Sequence, residues 1–361
     1  MINKQLKNDL EYIFNELSDR DKSKFKDSRI LITGAGGFIG YTMLNFLTEY
    51  GQELEISKIL ALDNFILGGS NWLIDLSKKF SFLHIKNFNI ALDKLESIPD
   101  IRDYDTVIHM ASIASPTYYR KHPLNTLDAN VWGLRNLLNF FKDKELNGFL
   151  NFSSSEVYGD PDPAKVPINE DYFGNVAFVG PRACYDESKR FGETMCYVFN
   201  KEFGMKIVSV RPFNNFGPGM KLDDGRAPAD FARSVLYGKE IEIFSDGSAT
   251  RTFTYIADAI VGYFKALHYG KFGYFNIGMD RPEITIANLA EIFANEGRKI
   301  FNREIKIKYS KSNDTEYLTH NPKRRVPDIS KAKKELNFNP KIEVTEGVSR
   351  YLMFLKEESK K

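Results

Sequence analysis

Cysteine is nearly absent, with two in 361 residues. That excludes a disulfide framework, and nothing points to an oxidising compartment. Histidine is scarce as well. His84, His109, His122, His268 and His320 are scattered without a pair at metal-ligand spacing, so no metal centre is expected. Charge of one sign is also missing: 50 Lys and Arg face 48 Asp and Glu, a formal net charge of +2. Such balance gives no large electrostatic footprint for nucleic acid or an anionic membrane. No apolar run approaches bilayer-spanning length, and residues 1–28 are charged throughout, without the apolar core of a signal peptide. The expectation is a cytoplasmic globular protein.

Aromatics, by contrast, are abundant: 29 Phe and 18 Tyr rule out a disordered chain. The length exceeds what one hydrophobic core usually serves, so two lobes are expected. Leu6, Leu10, Ile13, Phe14 and Leu17 recur at helical spacing. Residues 1–28 therefore read as an amphipathic helical extension, docked on its own domain or offered to a partner. From Arg29 onward, strand-like runs (Arg29–Thr33, Lys58–Asp63, Thr106–Met110, Phe149–Ser153, Lys206–Val210) alternate with helical periodicity. That pattern predicts a parallel sheet with crossover helices. After about Arg211, Pro and Gly become frequent and a second lobe begins. Lys356–Lys361 reads as a frayed charged tail.

The first strand runs into Gly34-Ala35-Gly36-Gly37-Phe38-Ile39-Gly40, followed by the helical run Tyr41–Tyr50. Glycines there allow a tight turn and let backbone N–H groups approach a pyrophosphate. Asp63, followed by Asn64, ends the next strand, where a carboxylate can accept from the adenosine ribose hydroxyls and would repel a 2′-phosphate. NAD is favoured over NADP. The expected fold class is α/β, a parallel sheet with crossover helices followed by a second lobe.

Tyr185 and Lys189 stand at i and i+4, on one face of a helix. A phenol near pKa ~10 is too protonated to be a good base at neutral pH. A neighbouring ammonium, with the nicotinamide charge, favours its phenolate. The pair can then take a proton from a sugar hydroxyl as hydride leaves the same carbon. Ser153-Ser154-Ser155-Glu156 follows another strand and reaches the same crevice at the sheet's carboxyl edge.

These residues resemble the extended short-chain dehydrogenase/reductase family, in its nucleotide-sugar-modifying branch. The resemblance covers Arg29 to Leu355 and implies the fold, an α/β Rossmann-type doubly wound parallel sheet with a smaller mixed α/β C-terminal substrate lobe: residues 29–210 are the NAD-binding domain, with 252–278 returning to it, and 211–361 mainly the nucleotide-sugar lobe. It rests on Thr33-Gly34-x-x-Gly37-x-x-Gly40, Asp63, His109-Met110-Ala111, Ser154-Ser155-Glu156, Tyr185-x-x-x-Lys189 and Arg211-Pro212-Phe213-Asn214-Asn215-Phe216-Gly217-Pro218. Within the branch the UDP-glucuronate decarboxylase (UDP-xylose synthase) subgroup is most similar, through Ser155-Glu156-Val157-Tyr158-Gly159-Asp160-Pro161, Gly180-Pro181-Arg182-Ala183-Cys184-Tyr185-Asp186-Glu187, Asp224-Gly225-Arg226, Gly247–Phe253 and Arg324-Arg325-Val326-Pro327-Asp328. The resemblance implies Ser154, Glu156, Tyr185 and Lys189 as catalytic residues, with Gly34, Gly37, Phe38, Ile39, Gly40, Asp63, Asn64, Tyr185 and Lys189 at NAD. It also implies Arg251 in the substrate pocket, Asn214 and Arg226 along the nucleotide diphosphate, and Tyr119 beside the sugar.

The implied activity is NAD-dependent decarboxylation of a UDP-uronate through a 4-keto sugar. A 4,6-dehydratase, a 4-epimerase or a non-catalytic NAD-bound binding protein are the alternatives. Ser155 stands where the dehydratases carry an aspartic acid, and a serine is a poor proton donor for elimination. Arg182 could pair a sugar carboxylate or be satisfied by backbone carbonyls.

The partner implied is a small nucleotide sugar, UDP-sugar favoured. The helices containing Asn125–Phe141 and Tyr185–Phe203 carry broad apolar faces, and by resemblance they pair across a homodimer axis. His109, Trp72 and Trp132 read as packing residues, and Cys184 as an apolar one.

Overall fold

The computed structural model describes residues 2–312, 316 and 319–360. Its central sheet has seven strands: β1 (Arg29–Thr33), β2 (Lys58–Asp63), β3 (Leu83–Asn87), β4 (Thr106–His109), β5 (Gly148–Phe152), β6 (Ile207–Pro212) and β7 (Gly273–Ile277). They lie in the order β7-β6-β5-β4-β1-β2-β3, all neighbours parallel. The chain winds outward from β1 to β3, then restarts at β4 on the other side. The crevice at the carboxyl ends of β1 and β4 is the switch point, where such sheets take ligands.

Five of these strands match the apolar runs of the sequence to within a residue or two. The edge strand β3 (Leu-His-Ile-Lys-Asn) buries only Leu83 fully and carries no continuous apolar signal. The other edge strand, β7 (Gly-Tyr-Phe-Asn-Ile), starts on glycine and buries Asn276. That polar side chain is satisfied: it accepts from Tyr158 Oη and donates to the Ile168 and Asp328 carbonyls.

Beyond β6, short strands build the outer wall of the crevice. Thr250–Arg251 pairs antiparallel with Ile284–Thr285 and parallel with Arg324–Arg325, in a register that sets Arg325 directly beside Arg251. Ile241–Ile243 pairs with Ile307–Tyr309.

The first helix, α1 (Lys4–Glu16), is capped by Asn3, whose side chain accepts from the Gln5 and Leu6 N–H groups. Leu6, Leu10 and Ile13 are buried in the core. They pack toward α2 (Phe38–Glu49), α4 (Ile256–Leu267) and α5 (Val344–Glu358), α3 being the Ala183–Phe203 helix discussed below. Asp9, in the middle of this apolar face, is wholly buried. It accepts from Tyr255 Oη at 2.6 Å and Gln5 Nε2 at 3.0 Å, and pairs with Arg350 at 2.9 Å. Burial pushes its carboxyl up to about 6. The extension is therefore docked on its own chain. Nor is the charged end frayed: α5 runs to Glu358, and Lys356 donates to the Ile300 carbonyl, while residue 361 lies outside the described residues.

Trp72 packs edge-on against Tyr41, centroids 5.0 Å apart, as expected. Trp132 does not pack. It is 59% exposed, because a π-helical turn at Asp128–Gly133 rotates it outward while Asn130 points in to Ser188.

Removing the Leu10 side chain tests the docking. Leu10→Ala should lower stability by about 2–5 kcal/mol in equilibrium denaturant unfolding. A change within about 0.5 kcal/mol would place this face outside the folded core.

Candidate active site

A single cleft of about 1870 Å³ runs along the switch point and out between the sheet and the short strands. Its floor is the glycine loop between β1 and α2. Gly34 has φ +69°, and a Cβ on it would lie 2.5 Å from the Ala111 backbone nitrogen. A Cβ on Gly36 would meet Ser70 Oγ at 2.8 Å and the Asp63 carboxylate at 3.2 Å. Gly37 caps α2 without a side-chain bond, so no side chain covers the start of the helix. Asp63, at the end of β2, accepts from Gly36 N at 2.9 Å and Phe65 N at 2.7 Å, which fixes the carboxylate at the loop's edge. Burial pushes it up, and those two N–H groups counter the push. A cradle without side chains, edged by an oriented carboxylate, fits the pyrophosphate and adenosine ribose of NAD.

Tyr185 and Lys189 lie on α3, one turn apart and both buried. Lys189 Nζ donates to the Phe152 carbonyl at 2.7 Å and sits 5.7 Å from the Tyr185 ring centre. Burial pushes the phenol up to about 12, with Ser154 as the hydrogen-bond partner that counters it most. Burial pushes the ammonium down to about 7. The Tyr119 ring stacks on Tyr185 at 5.2 Å, and its buried hydroxyl has no hydrogen-bond partner among the described residues. His109 is buried on β4 against Thr33 Oγ1 at 2.8 Å, a packing place as expected.

The third part is cationic. Glu156, in the 3-10 turn after β5, lies 2.6 Å from Arg182 and 2.6 Å from Arg325. Burial alone would raise its carboxyl, but the two guanidinium groups hold it well below the usual carboxylate range. Asp186 lies 3.5 Å from Arg182 and is pushed the other way, by burial and by Glu156. Arg182 is thus held by carboxylates. The arginine satisfied by backbone carbonyls is Arg251, which donates to Thr250 O, Lys323 O and Pro322 O. Burial and the adjacent Arg325 push Arg251 down to about 9. Asn214 accepts from Arg325 and donates to Thr252 O, and Arg226 is clamped by Asp224.

All the residues singled out from sequence line this one cleft: Ser154, Glu156, Tyr185, Lys189, Gly34, Gly37, Phe38, Ile39, Gly40, Asp63, Asn64, Tyr119, Arg182, Asn214, Arg226 and Arg251. Arg325 and Asp186 were not assigned roles. Arg325 stands in a quoted motif, and Asp186 directly follows Tyr185. The signal was local, but their pairing is not.

A doubly wound sheet with its Tyr–Lys pair at the switch point is the architecture of the short-chain dehydrogenase/reductases, here in extended form. The comparison with known proteins narrows this. The model of the NAD dependent epimerase/dehydratase family matches residues 30–278, and the chain belongs to that family. It is 35% identical over 325 residues to UDP-glucuronic acid decarboxylase 1 of Arabidopsis thaliana, covering 90% of this chain and 69% of that one. To UDP-glucuronic acid decarboxylase 1 of Danio rerio it is 34% identical over 347 residues, covering 95% and 75%. Among solved structures, the UDP-glucuronic acid 4-epimerase from Bacillus cereus, in complex with UDP-glucuronic acid and NAD, superposes with a TM-score of 0.76 at 27% identity, covering 91% and 99%.

Glu156→Gln would leave two buried guanidinium groups short of a counter-charge. Losing one partner of a buried pair costs about 3–5 kcal/mol, readable as a lowered denaturation midpoint. Because the folded carboxyl is depressed, the native protein should keep this contribution above the unfolded value of about 4.3 and lose it as pH falls further. The variant should lack that acid-side dependence.

Proposed function

We propose that this chain is an NAD-dependent nucleotide-sugar lyase that decarboxylates a UDP-uronate of the UDP-glucuronate type. The observation that carries the reading is the cluster of buried guanidinium groups in the cleft that Tyr185 also lines, Arg182, Arg251 and Arg325, set against Glu156 and Asp186. A guanidinium group suits bidentate recognition of a carboxylate, and a neutral hexose would leave that charge uncompensated. The names of the relatives above support the same substrate class.

When bound, NAD would supply the hydride acceptor, and in its reduced form the hydride donor, for sugar carbon 4. Gly34, Gly37, Phe38, Ile39 and Gly40 would hold its pyrophosphate, and Asp63 and Asn64 its adenosine end. Residues 29–210 and 252–278 thus serve as the cofactor domain, and 211–361 mainly as the sugar lobe. Tyr185, helped by Lys189 and Ser154, takes the proton of the 4-hydroxyl. The resulting 4-keto uronate is a β-keto acid. Tyr185 then holds its proton against the ketone oxygen while the bond from carbon 5 to the carboxyl carbon breaks and carbon dioxide leaves. Electrons from that bond form the double bond between carbons 4 and 5 of an enol whose oxygen takes the Tyr185 proton. The enol gives that proton back to Tyr185 as carbon 5 takes one from solvent. The regenerated ketone receives hydride at carbon 4 and the Tyr185 proton at its oxygen. Tyr119 faces the sugar with its unpartnered hydroxyl. Arg226, beside Phe38, and Asn214 face the diphosphate. Glu156, ionised between two cations, is no proton donor at rest, and Ser155 adds none. Elimination of a hydroxyl therefore lacks its acid, which separates this reading from a 4,6-dehydratase.

A homodimer is part of the proposal. Phe191, Tyr197, Val198 and Phe203 on α3, with Leu124, Leu127 and Trp132 on the neighbouring helical run, are exposed apolar groups on adjacent elements, as a subunit interface requires. A reducing compartment such as the cytoplasm suits Cys184 and Cys196, both free thiols. No helix among the described residues is long and apolar enough to cross a membrane.

The purified protein with NAD should release carbon dioxide from UDP-glucuronate and give no stable 4-keto-6-deoxy product from dTDP-glucose. The reverse pattern would replace the lyase by a dehydratase. Tyr185→Phe should lose on the order of 10²-fold or more in kcat, measured on the same uronate. For the dimer, Trp132→Arg combined with Phe191→Glu should run as a monomer in light scattering where the wild type runs as a dimer. An unchanged mass would place the interface elsewhere.

A further inference from the structure

The Lys189 ammonium is buried, where desolvation favours the neutral amine. What holds it is the carbonyl of Phe152, the last residue of β5. Ser153 and Ser154 follow at once, and Ser154 is the partner of Tyr185. A small shift of this peptide would move both groups that tune the phenol.

Glu193 fixes that peptide. It lies four residues after Lys189 on α3, on the same face. Its Oε1 accepts from the Ser153 hydroxyl. Arg211 of β6 grips it at both oxygens, Nε to Oε1 at 2.8 Å and Nη2 to Oε2 at 2.6 Å. Arg211 is itself anchored on Tyr158 Oη at 2.6 Å and the Glu170 carbonyl at 3.1 Å. Three elements therefore meet at one carboxylate, directly behind the Lys189 acceptor.

We propose that Glu193 is the positioning residue of the proton-transfer pair: through Ser153 it fixes the end of β5 that holds Lys189 and Ser154, and its charge supports the buried ammonium. The proposal rests on the roles given to Tyr185 and Lys189 above. It does not depend on which sugar is bound.

The charges around Lys189 agree. On α3, Tyr185 and Glu193 flank it. From β4 comes His109, which burial and then Lys189 push down to about 3, so it is neutral. The end of β5 offers only a carbonyl and hydroxyls, and Arg211 of β6 is engaged by Glu193. Burial pushes Lys189 down, and Glu193 is the group that opposes it. Around Glu193 itself stand Arg211, Tyr158 and Cys196.

The sign of the effect follows. A lysine loses its ammonium as pH rises through its pKa, so removing the Glu193 charge brings that loss to lower pH. Glu193→Gln should move the alkaline limb of the kcat profile acidward by on the order of one pH unit, with KM little changed. Glu193→Asp, which keeps the charge, should restore the limb. Wild-type limb position in a folded Glu193→Gln protein, with only a lowered Tm, would make Glu193 a strut and overturn the proposal. Ser153→Ala decides if Glu193→Gln does not fold. It should lower kcat about tenfold at every pH, as expected for one lost hydrogen bond to a charged group, without moving the limb. An unchanged kcat in that variant overturns the proposal. If the wild type turns over an epimerase or dehydratase substrate instead of the uronate, the functional reading falls, and the same profiles still decide on Glu193.

Discussion

One carboxylate shared by two guanidinium groups organises this molecule. Glu156 comes from the end of β5, Arg182 from the start of α3, and Arg325 from a two-residue strand far along the chain. Ions taken out of water must find each other in good geometry or cost several kcal/mol apiece. The sheet, α3 and the short strands of the crevice's outer wall therefore cannot be placed independently. Arg182 lies one helical turn before Tyr185, so the contact that seats the arginine also seats the phenol. Asp186, on the following residue, completes the arrangement from the inner side.

Two different environments then meet within one cleft. On the sheet side Tyr185 and Lys189 are buried, which disfavours the charged form of each. On the lobe side positive charge is in excess, with Arg251 and Arg325 side by side in the strand register. Groups whose surroundings drive their protonation apart divide the work of acid and base between them. Here the division is spatial: the groups disposed to exchange protons lie on one side, and the guanidinium groups on the other.

Much of this was readable from residues in a row. The glycine loop, Asp63 and the Tyr–Lys spacing are local patterns, and a local pattern survives without knowledge of the fold. The five strands read from apolar runs carry a largely apolar signal, while β3 escaped because its edge position leaves most of it partly or wholly exposed and β7 because Gly273 and the buried Asn276 interrupt its apolar run. Arg325, Asp186 and Glu193 escaped for another reason. Arg325 and Glu193 acquire their roles from partners on other elements, Glu156 and Arg211, and Asp186 from a pairing with Arg182 one turn earlier whose charge is set by the distant Glu156. Trp132 differs from the packing place expected of a large aromatic because residue type alone does not say which side of its helical run it faces.

The docking of α1 has a kinetic side. Asn3 donates to the Phe354 carbonyl, Asp9 pairs with Arg350, and Tyr12 donates to Asp258. Phe354 in turn stands in the cleft wall, its ring 6.0 Å from that of Tyr41. Contacts between such distant points of the chain carry a large loop-closure cost and form late. During synthesis the cleft wall is completed only after α5 has emerged and the first helix, waiting since the beginning, has something to close upon.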